Sequence, residues 1–92
     1  MTIQEKFEEF HEANPSVYTE LVKLARQARF KGHSKVGIEL LFAVLRWERM
    51  MGVERNSHYK LNDHYTSRYA RLIMREEWDL RSMFEVRELK AA

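Results

Sequence analysis

Residues 38–47 read Ile-Glu-Leu-Leu-Phe-Ala-Val-Leu-Arg-Trp, and eight of these ten are apolar. A helix that is apolar on nearly every side must be enclosed by other elements. The run therefore predicts the centre of a small packed domain, and it argues against this helix serving as a solvent-facing recognition surface. The chain has 92 residues, the length of one domain. A domain of that size buries roughly 60–65% of its unfolded surface, so the core is thin. With 45% hydrophobic and 33% charged residues, one proline and three glycines, the composition is that of a folded globular chain.

The chain contains no cysteine, which excludes a disulfide scaffold, a thiol nucleophile and a cysteine-ligated metal. That fits a reducing compartment. The longest apolar run falls well short of the roughly 20 residues that span a bilayer. Met1-Thr2-Ile3-Gln4-Glu5-Lys6 is charged and carries no apolar signal region. The expectation is a cytoplasmic protein with no membrane partner.

The remaining pattern is helical. Thr2 and Glu5 form a capping-box pair, and Ile3, Phe7 and Phe10 make a narrow stripe at i, i+4 and i+7. This predicts a helix over 3–12 with glutamates opposite the stripe. Asn14-Pro15 restarts the chain, as N-cap and first helical residue, and predicts a second helix reaching Phe30. Gly32 suits the position just past its end. Ser34 is the expected cap of a third helix over 35–51, closed by Gly52, with Gly37 in its first turn. The turn Gly32-His33-Ser34 makes the second and third helices packing neighbours. Helical periodicity is lost over 53–61. Asn62 or Asp63 caps a fourth helix over 63–77, on which Tyr65, Tyr69, Leu72 and Ile73 share a face. Beyond Trp78, Leu80 and Phe84 fit a helix, whereas Phe84-Glu85-Val86-Arg87 alternates like a strand.

The net charge of +2 is unevenly placed. Residues 1–14 hold one lysine against Glu5, Glu8, Glu9 and Glu12, whereas residues 15–52 hold seven basic and three acidic residues. Lys23, Arg26, Arg29, Lys31 and Lys35 follow one another with no acid between them. Such a cluster attracts phosphate, although it is more often a solvated helix face whose cations suit the C-terminal dipole. Arg68, Arg71 and Arg75 are the sharper candidates. At 100° per residue they lie within about 60° of one another on the fourth helix, beside its apolar face. Three planar cations in a row suit a phosphate backbone, and an arginine can also read guanine. Lys60, Tyr65 and Tyr69 are near in sequence. The bland alternative pairs these arginines with Glu76, Glu77 and Asp79.

The four histidines, His11, His33, His58 and His64, are scattered, and His11-Glu12 lacks the second histidine of a zinc-protease helix. Neither a metal site nor a cofactor is expected. Three glycines cannot build a phosphate-binding loop, and the co-occurrence of Ser, His and Asp is no triad without geometry. An enzyme is not expected. Aromatic residues make up 12% of the chain, and their spacing puts most in the core. Tyr59 and Trp78 flank the fourth helix outside its periodicity and are candidate protein-interface anchors. The Phe7/Phe10 stripe either docks on its own domain or is supplied to a second copy, so Phe7 and Phe10 join that interface set and a homodimer is a third partner option.

Several segments together are similar to small proteins encoded by bacteriophages and prophages. They are Phe10-His11-Glu12-Ala13-Asn14-Pro15 with Tyr18, Arg46-Trp47, Lys60-Leu61-Asn62-Asp63, Tyr69-Ala70-Arg71 and Phe84-Glu85-Val86-Arg87. The group has no assigned activity, so no site residue is carried over. The resemblance implies expression in a bacterial cytoplasm and one of two tasks, binding DNA or binding and inhibiting a host protein.

The expectation is thus one mainly α domain over 1–92, with an acidic N-terminal helix over 1–13 and a core over 14–92. It has four or five helices. A short β-ribbon from 53–61 and 83–89 would make it winged-helix-like, with helix three as scaffold and helix four as recognition helix. The first functional reading is a DNA-binding regulatory module that uses Arg68, Arg71 and Arg75, with Lys60, Lys31 and Lys35 on phosphates. The alternative is a non-catalytic module that binds a host protein. A helix-turn-helix joins its helices through three or four residues, and the roughly eleven between helices three and four strain the first reading.

Overall fold

The computed structural model describes residues 1–52 and 61–85. Among them are four helices, α1 (Ile3–Ala13), α2 (Pro15–Phe30), α3 (Ile38–Met50) and α4 (Thr66–Glu76), and two 3-10 turns, Asp63–Tyr65 and Trp78–Leu80. None of the described residues is in a strand. Leu61 and residues 83–85, the described parts of the expected ribbon, are irregular. The rest of that ribbon lies outside the described residues.

The helix starts follow local chemistry. Thr2 Oγ1 accepts from the Glu5 amide at 3.1 Å while the Thr2 amide donates to Glu5 Oε1 at 3.0 Å, which completes the capping box. The box draws the Glu5 carboxyl below its usual range, mainly through the Thr2 amide. Pro15 opens α2, but Asn14 caps it without its side chain. The Asn14 amide group instead donates back to the Phe10 carbonyl at 3.0 Å and closes α1. At the other end of α2, Gly32 N–H bonds the Arg29 carbonyl and His33 N–H bonds the Ala28 carbonyl. This is the Schellman pair of bonds, and Gly32 supplies the φ of +98° it needs.

Helix α3 starts three residues later than the sequence implies. Its N-cap is Gly37, and Ser34 caps nothing. The cause is tertiary. The Val36 amide donates to the Met83 carbonyl at 3.0 Å and Lys35 Nζ donates to the Ser82 carbonyl at 2.9 Å, which holds residues 35–36 against the chain beyond α4. Before α4, Asn62 Oδ1 accepts from the His64 amide at 2.9 Å, so Asn62 caps a 3-10 turn that leads into the helix. Arg46 of α3 clamps this turn through an ion pair with Asp63.

The core is one cluster drawn from every element. Val17, Leu21 and Ala25 of α2 meet Phe42 and Leu45 of α3 and Tyr69, Ala70 and Ile73 of α4. Leu80, Met83 and Phe84 close it from the chain after α4. Helix α1 joins through aromatic rings. Phe7 meets Tyr69 edge-on at 4.8 Å, and Phe10 lies 5.2 Å from the Tyr65 ring. Such pairs add to area burial.

Candidate interaction surface

Helix α3 is only half enclosed. Ile38, Leu41, Phe42 and Leu45 are buried, but Leu40, Trp47, Met50 and Met51 are 60–70% exposed. The reading of residues 38–47 as a fully enclosed helix, closed to recognition, is corrected here. At 100° per residue, Leu40, Val44, Trp47 and Met51 fall at i, i+4, i+7 and i+11, along one open stripe. Met50 widens it. A single exposed apolar residue is normal, whereas a continuous set marks a contact surface.

The stripe borders a groove between α2 and α3 of about 640 Å³. Leu24 and Ala28 of α2 and Val36, Leu40, Leu41 and Val44 supply apolar walls. Lys31, His33 and Lys35 line it from the α2–α3 connection, together with Gln27. No carboxylate lines it. The Schellman turn and the Val36–Met83 bond fix that connection, so the basic groups are presented by a braced loop.

The three arginines of α4 come together as their spacing implies. Arg68, Arg71 and Arg75 line a smaller groove of about 210 Å³ with Gln4, Phe7 and Leu72, again without a carboxylate. They occupy a groove at the α1–α4 seam, where Arg68 Nε donates to Gln4 Oε1 at 3.0 Å. Arg75 pairs with Glu76 at 3.0 Å. Glu77 and Asp79, the other expected partners, are taken by α2. Arg26 Nη2 bonds Glu77 Oε1 at 2.7 Å, and Arg26 Nε bonds Asp79 Oδ2 at 2.9 Å. The Tyr18 hydroxyl donates to Glu77 Oε2 at 2.7 Å.

This network shifts its members' proton affinities. The Tyr18 hydroxyl bond and then Arg26 hold Glu77 below the usual carboxylate range, and the Arg26 fork does the same for Asp79. Burial first, and the Glu77 bond second, push the Tyr18 phenol up. Arg26 therefore leaves the basic cluster as a structural brace. Lys23, Arg29, Lys31 and Lys35 are exposed.

The other candidate residues fall elsewhere. Lys31 and Lys35 line the α2–α3 groove, not the arginine groove. Phe7 is buried and Phe10 packs against the core, so these two rings are spent on their own domain, whereas Ile3 stays exposed. Trp78 is exposed, with the Arg81 guanidinium 3.3 Å from its ring centroid. Tyr59 and Lys60 lie outside the described residues. No described cluster of His, Asp or Glu could hold a metal, and no described helix is long and apolar enough to cross a membrane.

Sequence reasoning missed two features. One is the open half of α3, because composition marks a helix as apolar without saying what covers it. The other is the Tyr18–Arg26–Glu77–Asp79 network, whose ion pairs span more than fifty residues of sequence. No protein-family model, curated protein or solved structure matches the chain.

Proposed function

We propose that the protein is a small helical interaction module that binds a partner protein through the open face of α3 and the adjoining α2–α3 groove. The observation that carries this reading is the set of four large apolar side chains, Leu40, Trp47 and Met50 of α3 and its C-cap Met51, left in solvent together. Burying such a set against a partner is the main favourable term in association. Together with the resemblance to phage and prophage proteins, the reading places the partner in a bacterial cytoplasm and assigns the module no chemical step. The test compares affinity capture from bacterial lysate by the native chain and by a Leu40→Lys/Trp47→Lys double variant. A protein retained by the native chain and lost by the folded variant supports the reading. Identical captures overturn it.

Nucleic-acid binding is the second reading, favoured by the carboxylate-free groove that Arg68, Arg71 and Arg75 share. It ranks lower for two reasons. Glu8 is hydrogen-bonded to Gln4 at the edge of that groove, where it opposes a polyanion. Lys31 and Lys35 line a different groove, so the cations do not form one footprint. Anisotropy of a labelled DNA duplex at two salt concentrations tests it. Binding that weakens steeply with salt and is lost in Arg68→Glu/Arg75→Glu supports this second reading.

A further inference from the structure

We infer that the occupant of the α2–α3 groove is an amphipathic helix of another protein, about three turns long and acidic at one end. The inference rests on the interaction reading above and adds the chemistry of the partner. Length comes from the stripe. From Leu40 to the C-cap Met51 is eleven helical steps, or roughly 17 Å at 1.5 Å per residue. A helix laid in a groove presents apolar anchors at i, i+3, i+4 and i+7, and the 4-3-4 spacing of Leu40, Val44, Trp47 and Met51 matches that rhythm.

Charge comes from the groove's end. Lys31, His33 and Lys35 line the groove there, and the nearest carboxylates, Glu39 and Glu85, line an adjoining hollow that shares only Lys35, Val36 and Gly37 with it. Lys35 spends one donor on the Ser82 carbonyl and keeps two. Carboxylates at one end of the incoming helix complete these groups, and a helix C-terminus pointed at them adds its dipole. A second copy of this chain is a poorer fit. Laid antiparallel on the same stripe, it brings the C-terminal end of α3 to the lysines, where the dipole is favourable but Glu48 stands between Arg46 and Arg49 and supplies no net negative charge. Laid parallel, it brings its own Lys35.

The test uses two synthetic peptides with the same leucine stripe, one flanked by glutamates and one by lysines, each labelled for fluorescence anisotropy. The native chain is expected to bind the glutamate peptide about tenfold more tightly, the effect of two or three solvent-facing charge pairs. Lys31→Glu/Lys35→Glu should reverse that preference, and Leu40→Lys/Trp47→Lys should abolish binding of both peptides. Equal affinities in the native and charge-swapped chains would overturn the acidic partner and leave the docking face standing. Binding of neither peptide, with a dimer in sedimentation that Leu40→Lys/Trp47→Lys disperses, would overturn the inference in favour of a second copy. Binding of neither peptide by a monomer would overturn both the inference and the reading beneath it.

Discussion

The α1–α4 seam and the α2–α3 face are built from similar apolar material and end in opposite states. At the seam, Phe7, Phe10, Tyr65 and Tyr69 interlock, and Tyr69 is fully buried. On the α2–α3 face, Leu40 and Trp47 remain mostly in solvent. The difference teaches that apolar composition sets how much surface needs cover, while topology decides whether the chain supplies it. Here α1 covers α4, and no described element covers the far side of α3.

Substitutions sharpen this contrast. The largest effect is expected inside the shared core. Phe42 is completely buried and meets Tyr69 at 6.0 Å, so Phe42→Ala should cost about 3–5 kcal/mol in urea unfolding. Phe7→Ala should cost about 3 kcal/mol and raise amide exchange across α1 first, because Phe7 is the buried anchor of that helix. If amide exchange rose evenly through the domain, the separate docking of α1 would be wrong.

The brace between α2 and the chain after α4 comes next. Arg26→Ala should cost about 1 kcal/mol at neutral pH, the scale of a solvent-facing but forked ion pair. Its pH dependence has a definite sign. Folding depresses the Glu77 and Asp79 carboxyls, so their contribution is complete above the unfolded carboxylate range near about 4. It is lost as pH falls through the folded values. The stability gap between native and Arg26→Ala should therefore be constant above about pH 5 and close in acid. A gap that widens in acid would contradict the network. Thr2→Ala, which removes half the capping box, should cost about 0.5–1 kcal/mol and fray only the start of α1. The smallest effect belongs to the open face, where Leu40→Ala should change stability by no more than about 0.5 kcal/mol.

Much of the helical frame was legible because its signals are local. Thr2 with Glu5, the Asn14-Pro15 restart, and the positive-φ glycines at 32 and 52 mark helix ends through bonds within a few residues. The start of α3 was not legible. Ser34 is a sound cap by itself, but Val36 is claimed by Met83, a contact no local pattern encodes. The arginine cluster of α4 was visible from spacing alone, since three residues on one helix face must meet one environment. Its partners were not, because Glu77 and Asp79 turn toward Arg26 on another helix. The Ile3/Phe7/Phe10 stripe was legible as a stripe, and the docking of Phe7 and Phe10 on their own domain depended on where Tyr65 and Tyr69 stand. The same ambiguity, resolved the other way, leaves α3 open.

The open face of α3 is tested most directly by urea unfolding of Leu40→Lys/Trp47→Lys. A free face predicts a double variant within about 1 kcal/mol of the native chain, with an unchanged dependence on urea. A loss of several kcal/mol would show that these side chains are buried in solution, which would contradict the account.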